Sequence, residues 1–289
     1  MGPSPILSFA GSFRHEATDD APGICGGPPT ERAGLAAPVA MNRDPRQVSP
    51  HPILREYYQD ETQRRRFLTQ IFDDTASHYD RIAGLMSLGS GAWYRRFALR
   101  RAGLKKGMKV LDVAVGTGAV ASAAAGIVRP SGAVTGVDPS AGMLGQARRK
   151  LRISLIQGVA ERLPFRDGAF DFLSMGYAVR HVVDLRHTFG EYFRVLRSGG
   201  VLLILDFARP RSRVGLGLGR FYLGRAVPWM ARLSSGSKEA QILTHYCWDT
   251  LETLVPRETI MAAIASSGFE DAKGRSWFGL LSEYVARKP

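Results

Sequence analysis

The stretch VLDVAVGTGA, from Val110 to Ala119, decides the fold. It joins a hydrophobic strand to a helix of small residues through a turn that contains Gly116 and Gly118. Such a turn lets the backbone approach a nucleotide-like ligand closely. The spacing Gly116-x-Gly118-x-x-Ala121 also matches a loose dinucleotide fingerprint, which is weak alone because a structural turn explains glycines almost as often. The identity of the ligand therefore depends on neighbouring residues.

Outward from this turn, short apolar runs alternate with helical stretches. The runs are MKVLDVAV, AVTGVD, ISLIQG, FDFLSMG and GGVLLILDF, and helices are expected from about Ala119, from about Ala141 and around Leu185. Apolar strands that alternate with helices form right-handed βαβ units. We therefore expect an α/β fold, with a doubly wound, mostly parallel sheet whose two faces are both covered. Ligands of such sheets bind at the carboxyl ends of the strands.

The N-terminal part of the chain reads differently. Residues 1–52 are rich in Pro, Gly, Ala and Ser and have no sustained apolar period, so we expect a disordered tail there. Over residues 53–100 apolar positions such as Phe67 and Ile71 lie four apart, and DDTASHYDR marks a break. This pattern predicts a helical cover over a ligand cleft, followed by the main domain over residues 101–289.

Composition narrows the class of partner. The formal net charge is +13, with 39 Lys and Arg against 26 Asp and Glu, which suits an anionic partner. The basic residues lack interleaved aromatics, so we expect no nucleic acid. Cys25 and Cys247 match no metal spacing, which predicts neither a metal site nor a disulfide framework. No apolar run reaches the roughly 18–20 residues of a membrane span, so a cytoplasmic protein is expected. Peripheral membrane contact and the oligomeric state stay open.

Two acidic residues indicate the ligand. Asp112 lies just before the glycine turn, where a carboxylate repels a pyrophosphate but favours a ligand that carries ammonium and sulfonium groups. S-adenosylmethionine is such a ligand. Asp138, which ends the second run 20 residues after Gly118 (138 − 118), is placed to accept hydrogen bonds from ribose hydroxyls. Each acid alone could be a strand-end or helix-cap residue. Together with the glycines between them they favour this cofactor over a nicotinamide dinucleotide.

At these residues the chain resembles class I S-adenosylmethionine-dependent methyltransferases, and more closely the UbiE-type ubiquinone/menaquinone C-methyltransferase family. The resemblance covers roughly residues 67–269 and rests on motifs in a fixed order, which include IFDDTASHYDRI, LDVAVGTGA, GVDPSAGML, QGVAERLPFRDGAFD, GYAVRHVVDL and FRVLRSGGVLLILDFARP. It implies a Rossmann-like sheet with an antiparallel hairpin at its C-terminal edge. It also implies an insertion at about 210–255 that builds the acceptor pocket.

The resemblance also implies cofactor contacts. Expected cofactor-binding residues, besides Asp112 and Pro139, are Gly116, Thr117 and Gly118 at the methionine part, Asp138 at the ribose, Met143, Val159 and Ala160 at the adenine, Gly176 and Tyr177 at the flank, and Tyr79 as the residue that closes the site. The family usually has Asp or Asn where this chain has Val159, and Gly or Cys where it has Val115. It also typically reads Arg-Asn where this chain has RHVVD.

Arg180 and His181, just past the fourth run, are the candidate catalytic residues. Methyl transfer from a sulfonium is an in-line displacement, so the protein mainly aligns the reactants. A hydroquinone carbon also needs a base for the hydroxyl proton and a cation for the oxyanion. His181, with an ordinary pKa of roughly 6.5, is the candidate base, and Arg180 the cation. Alternatively His181 caps the strand or lies on the surface, and Arg180 pairs with Asp184. His245 and Tyr246 are further pocket candidates.

The sequence thus favours an S-adenosylmethionine-dependent methyltransferase that acts on a small, hydrophobic or aromatic acceptor, with quinone ring C-methylation as the leading hypothesis. The alternatives are another small acceptor, such as an aromatic natural product or a lipid amine, and a catalytically degenerate accessory protein, for which Val159 is the best support. The basic, glycine-punctuated stretch RSRVGLGLGRFYLGRAVPWMARL could be an amphipathic lid that touches a membrane or the acceptor, or packing over the cleft.

Overall fold

The computed structural model describes residues 47–289, apart from residues 88, 211, 278 and 280 and the side chain of residue 234. Seven strands form one sheet in the order β3-β2-β1-β4-β5-β7-β6. Their bounds are β1 Lys109–Val113, β2 Ala133–Asp138, β3 Ser154–Gln157, β4 Phe170–Gly176, β5 Leu196–Phe207, β6 Glu270–Trp277 and β7 Leu281–Arg287. The first five strands pair in parallel, and β7 and β6 add antiparallel to the edge. The predicted mostly parallel sheet and its antiparallel edge hairpin are confirmed.

Helices cover the sheet and its carboxyl edge. Their bounds are α1 Glu61–Thr75, α2 Tyr79–Ser87, α3 Gly91–Arg101, α4 Ala119–Val128, α5 Ala141–Lys150, α6 Leu185–Val195, α7 Arg213–Phe221, α8 Val227–Ser235, α9 Lys238–Glu252 and α10 Arg257–Ser266. A 3-10 turn at Val179–His181 follows β4, and a π-helical turn at Tyr222–Ala226 joins α7 to α8. The break expected within DDTASHYDR is the gap between α1 and α2. Among the helices described, none combines the length and apolar character that a membrane crossing requires.

The inner strands are apolar on both sides. In β1, Val110 and Leu111 are both buried, and successive strand residues face opposite sides of a sheet. Leu111 belongs to the cluster packed by α6 and α10, and Val110 to the cluster packed by α3 and α4. Because both faces are covered, these strands appear in the sequence as continuous apolar runs.

The start of the folded chain differs from the expectation. The predicted tail lies outside the described residues over 1–46, but residues 47–52 pack on the domain. Val48 accepts a hydrogen bond from the backbone N–H of Leu185 at 2.9 Å, and His51 is only 2% exposed. The sequence of this segment shows no apolar period because backbone hydrogen bonds and a buried polar side chain, and not an apolar face, attach it to the domain.

Candidate functional site

Parallel pairing brings the carboxyl ends of the strands to one edge of the sheet. Asp112 on β1 lies beside Gly136 of β2 and Ser174 of β4. Asp138 ends β2, and Asp206 is the next-to-last residue of β5. All three carboxylates are buried, so this edge concentrates negative groups away from water.

The turn after β1 has an unusual backbone. Ala114, Gly116 and Gly118 have φ angles of 54°, 55° and 90°, in the left-handed region. Position 118 also requires a glycine, because a Cβ there would overlap the Leu151 side chain. Val115, which stands where the family usually has Gly or Cys, is buried in the core. The turn therefore leads into α4 at the sheet edge through two glycines with left-handed backbone angles.

Asp112 has unused hydrogen-bonding capacity. Its Oδ1 accepts a hydrogen bond from Ser174 Oγ at 2.7 Å, but its Oδ2 is buried and has no partner in the described structure. Burial raises the pKa of Asp112 to about 7. A buried carboxylate oxygen without a donor is costly. The position next to the glycine turn thus fits a ligand that brings an ammonium group.

Asp138 joins the two turns that follow β1 and β2. Its Oδ2 accepts from the backbone N–H of Gly116 at 2.8 Å, and its Oδ1 accepts from that of Ser140 at 2.9 Å. Burial raises the pKa of Asp138 to about 6, although the two amides oppose this. A carboxylate has about four acceptor sites, so capacity for ribose hydroxyls remains.

The residues expected around an adenine ring lie beside Asp138. Pro139 follows it and accepts a hydrogen bond from Gln157 Nε2 at 3.0 Å through its carbonyl oxygen. Met143 is buried in the first turn of α5. Val159 is 41% exposed and Ala160 is half-buried. All four side chains are apolar, and position 159 offers no side-chain hydrogen-bond acceptor.

Helices α1 and α2 are tied to both turns by acidic side chains. Asp73 of α1 accepts from Ser140 Oγ at 2.5 Å and from the N–H of Gly142 at 2.8 Å. Asp80 of α2 accepts from Thr117 Oγ1 at 2.5 Å and also pairs with Lys150. The helical cover is thus fixed over the glycine turn and the start of α5.

Tyr79 lies at the inner end of this cover. Its half-buried ring meets the Phe72 ring edge-on, with centroids 6.1 Å apart. Burial raises the pKa of the Tyr79 hydroxyl. The hydroxyl is therefore neutral at ordinary pH and can serve as a hydrogen-bond donor.

Gly176 and Tyr177 end β4 at the same edge. A Cβ on Gly176 would lie 2.6 Å from Val120 Cγ2, so glycine permits the close approach of α4. Tyr177 has a φ of 62°, and its ring packs on Phe207 with centroids 5.1 Å apart. The ring is held next to the end of β5.

Arg180 lies inside the protein. Its Nε is 3.2 Å from Asp206 Oδ1, and its Nη1 donates to the carbonyl oxygen of Cys247 at 3.1 Å. The alternative that it pairs with Asp184 is wrong, since Asp184 instead accepts from the N–H of Arg186 and caps α6. The true partner comes from β5.

Asp206 is a site candidate that sequence reasoning missed. Its Oδ2 is buried and unpaired in the described structure, and burial raises its pKa while the Arg180 charge opposes the rise. The available signal was an acid at the end of the apolar run GGVLLILDF, the same signal that singled out Asp112 and Asp138.

His181 is enclosed by aromatic rings. It stacks on Tyr246 with centroids 5.7 Å apart and meets Phe72 edge-on at 5.4 Å. Burial, followed by the charges of Arg180 and Arg64, holds the pKa of His181 well below its usual value. Its Nδ1 is buried without a partner among the described residues. The ring is thus neutral and neither caps the strand nor lies on the surface.

The described structure brings the predicted residues to one edge in two groups. One group surrounds the glycine turn and suits a cationic nucleoside ligand. The other contains Arg180, Asp206 and His181 and can accept a proton and stabilise a negative charge. Among the described residues, no group of three or more His, Cys, Asp or Glu side chains is arranged to hold a metal ion.

Known proteins share both the sequence pattern and the fold. The profile of the ubiE/COQ5 methyltransferase family matches residues 59–288. The ubiquinone/menaquinone biosynthesis C-methyltransferase UbiE of Geobacter sulfurreducens is 34% identical over 235 residues, which cover 78% of this chain and 90% of the relative. The protein of the same name from Hahella chejuensis is 32% identical over 78% of this chain and 91% of its own.

Solved structures agree on the fold. A SAM-dependent methyltransferase from Thermotoga maritima has a TM-score of 0.55 at 20% identity, and the match covers 76% of this chain and 99% of that one. A second, from Aquifex aeolicus, has a TM-score of 0.50 at 17% identity over 66% of this chain and 88% of its own. At these identities the likeness concerns the fold alone.

Proposed function

Because this chain belongs to the ubiE/COQ5 methyltransferase family, we propose that it transfers a methyl group to a ring carbon of a small, hydrophobic hydroquinone. The chain is a methyltransferase whose methyl donor is S-adenosylmethionine. The observation that carries the proposed acceptor is the match, over most of both chains, to relatives named as ubiquinone/menaquinone biosynthesis C-methyltransferases.

We assign the donor site to the group around the glycine turn. S-adenosylmethionine, when bound, supplies an electrophilic methyl group. Asp112 Oδ2 would accept a hydrogen bond from the ammonium group, and Asp138 would accept from the ribose hydroxyls. The other proposed contacts are Gly116, Thr117 and Gly118 at the methionine part, Pro139, Met143, Val159 and Ala160 near the adenine, and Tyr79, Gly176 and Tyr177 at the flank.

The acceptor chemistry is assigned to Arg180, His181 and Asp206. A hydroquinone carbon becomes nucleophilic when its hydroxyl loses a proton, so the site needs a proton acceptor and a cation. His181 Nδ1 and Asp206 Oδ2 are buried polar atoms without a hydrogen-bond partner among the described residues, and Arg180 lies beside both residues. Burial lowers the pKa of His181, which weakens it as a base, and raises the pKa of Asp206, which strengthens it. We therefore propose Asp206 as the base and His181 as the group that orients the hydroxyl.

Calorimetric titration with S-adenosylhomocysteine tests the donor site. The intact chain should bind in the micromolar range, and Asp138→Ala should bind at least about tenfold more weakly, because hydrogen bonds to a charged group are lost. Glu270→Ala removes an exposed acid on β6 and is the matched control. Equal binding by all three proteins would sink the assignment of Asp138.

A product assay tests the acceptor. The chain is incubated anaerobically with S-adenosylmethionine and, in parallel, a demethylated menaquinol, a catechol or phosphatidylethanolamine, and the methyl position is read by mass spectrometry. Methylation of a ring carbon of the quinol, lost in Asp206→Asn, is the expected result. If only the catechol oxygen or only the lipid amine is methylated, the proposed hydroquinone acceptor is wrong and that group is the acceptor instead. Donor binding without transfer to any acceptor would favour the accessory-protein alternative.

A further inference from the structure

The segment from α7 to α8 exposes a row of large apolar side chains. Val214, Leu218 and Phe221 of α7 are 73%, 65% and 64% exposed, and Trp229 and Leu233 of α8 are 64% and 65% exposed. Residues three or four positions apart share one side of a helix. Each helix therefore presents an apolar stripe outward. We call these five residues the α7–α8 face.

The charged residues of this segment all have the same sign. Between Asp206 and Glu239 the sequence contains six arginines, one lysine and no acidic residue. Arg213 and Arg220 lie beside the apolar stripe of α7, and Arg225 and Arg232 are exposed near that of α8. Arg220 pairs with Glu252 of α9, and Arg232 donates to Gln241 at 3.1 Å. The apolar stripes are thus bordered by cations.

The opposite side of the segment is firmly packed. Leu223 and Val227 are buried, and Tyr222 Oη donates to the carbonyl oxygen of Leu85 at 2.7 Å. Cβ atoms at Gly219 and Gly224 would lie 3.1 and 3.3 Å from the Trp248 ring, so glycine lets the segment rest directly on that ring. The segment is therefore held to the domain by one side, and the α7–α8 face lies on its other side, towards solvent.

We propose that the α7–α8 face docks on the surface of an anionic lipid bilayer. Apolar side chains of an interfacial helix enter the boundary between headgroups and acyl chains, while flanking arginines reach the lipid phosphates. A hydrophobic quinol dissolves in the same bilayer, so docking would bring the enzyme to its acceptor. That part of the inference rests on the proposed function and deepens it. The docking itself requires neither donor nor acceptor.

The charge pattern argues against a second copy of the chain as the occupant. A two-fold contact places the same patch of both copies together. Arginines at the α7–α8 face would then meet arginines, with repulsion instead of pairing. An anionic lipid surface removes that repulsion.

Co-sedimentation of the full chain with vesicles tests the proposal. Vesicles of phosphatidylcholine alone are compared with vesicles that contain about one third phosphatidylglycerol. We expect binding to the anionic vesicles, weakened by salt. A Phe221→Ser/Trp229→Ser variant should bind at least about tenfold more weakly. An Arg213→Gln/Arg225→Gln variant should lose about 25-fold, or about fivefold per arginine.

The matched control is Trp93→Ser, which removes a tryptophan that is 70% exposed on α3. It should bind like the unchanged chain, and all variants should keep their S-adenosylhomocysteine affinity, which shows that they are folded. Failure of the unchanged chain to bind anionic vesicles, or an equal loss in Trp93→Ser, would overturn the proposal. So would a dimer in analytical ultracentrifugation that the Phe221→Ser/Trp229→Ser variant dissociates without any vesicle binding. Methylation of a detergent-solubilised quinol is scored separately, so failure of docking and failure of the proposed function are distinct results.

Discussion

Three buried carboxylates lie at the last or next-to-last positions of their strands, and each is satisfied differently. Asp138 accepts two backbone N–H groups, and Asp206 lies beside Arg180. Asp112 accepts from the Ser174 hydroxyl, and the backbone N–H of Ala121 also favours its charged form, but its Oδ2 has no hydrogen bond of normal geometry in the described structure. Because burial disfavours its charged form, Asp112 is the one of these three carboxylates that a cationic ligand would stabilise most. Asp112 lies two residues before Ala114, where the left-handed backbone of the glycine turn begins.

We predict that Asp112→Asn changes the pH dependence of both donor binding and stability. The pKa of Asp112 is about 7 in the folded chain, so S-adenosylmethionine affinity should rise as the pH increases towards 7 and the carboxylate ionises. The Asn variant, which can still accept from Ser174, should bind more weakly and with little dependence on pH. Calorimetry between about pH 5.5 and 7.5 measures this.

The stability of the wild type depends on pH in the opposite direction to its donor affinity. An unfolded Asp ionises near about 3.9, so the raised folded pKa stabilises the wild type fully below that pH, and the stabilisation is lost as the pH rises through about 7. Relative to wild type, Asp112→Asn should therefore gain about 4 kcal/mol in free energy of unfolding between about pH 4 and pH 7. Glu270→Gln, at an exposed position on β6, should show neither effect. A wild-type affinity that is flat across this range would contradict the proposed role of Asp112.

At the level of elements, the strands were the most predictable part. AVTGVD and FDFLSMG coincide with β2 and β4 because helices bury both of their faces, which leaves an apolar run in the sequence. β5 starts at Leu196, before the predicted GGVLLILDF, because Leu196 pairs with Phe170 across an irregular register. The RSGG that follows reads as a turn in the sequence but lies within the strand.

The contacts that complete the site could not be predicted in the same way. Asp73 lies in a stretch that reads as a helix break, and its partner Ser140 is 67 positions away. Arg180 and Asp206 meet only because β4 and β5 pair in parallel and bring their ends together. Local patterns identify residue types at strand ends, whereas these pairings depend on the register of the whole sheet.

We predict that Gly142→Ala loosens the helical cover, whereas Gly145→Ala in the same helix does not. A Cβ at Gly142 would lie 3.0 Å from the Cα and the carbonyl oxygen of Asp73, so helix α1 has to move. At Gly145 nothing lies within 4 Å. Gly142→Ala should lower the free energy of unfolding by about 1–2 kcal/mol. Gly145→Ala should raise it by about 0.5–1 kcal/mol through helix propensity.

Hydrogen exchange and calorimetry separate the two variants. In Gly142→Ala, backbone amides of α1 should exchange faster, and S-adenosylhomocysteine should bind more weakly because the turn after β2 is no longer clasped. In Gly145→Ala both readouts should match wild type. If the two variants behave alike, the contact between α1 and the start of α5 does not hold the cover in place.

At the scale of the whole molecule, residues 47–52 connect distant parts of the domain. Val48 accepts from the N–H of Leu185 on α6, and Pro50 accepts from the N–H of Val255, which precedes α10, at 2.8 Å. His51 Nε2 lies 3.1 Å from Arg64 Nη2, and this Arg64 nitrogen also donates to the carbonyl oxygen of Arg180 at 2.9 Å. The segment thus supports the backbone of the proposed acceptor site from outside.

We predict that a chain starting at residue 47 is more stable than one starting at residue 53. Both lack residues 1–46, so any contribution of those residues cancels. Loss of the two backbone hydrogen bonds and of buried His51 should cost about 2–4 kcal/mol in free energy of unfolding. Denaturant titration at neutral pH measures the difference.

The pH dependence of that difference identifies His51 as its source. Burial, followed by the charge of Arg64, whose guanidinium faces His51 Nε2, lowers the pKa of His51 to about 4, although the hydrogen bond to the Pro52 carbonyl opposes this shift. A depressed histidine pKa contributes stability above about 6.5, the unfolded value, and loses it as the pH falls towards 4. The advantage of the longer chain should therefore shrink on acidification between these values. His51→Gln in the longer chain should remove this pH dependence but keep both backbone hydrogen bonds. If the two truncated chains were equally stable at every pH, residues 47–52 would be part of a dispensable tail, and the support of Arg64 and the Arg180 carbonyl would have to come from the helices alone.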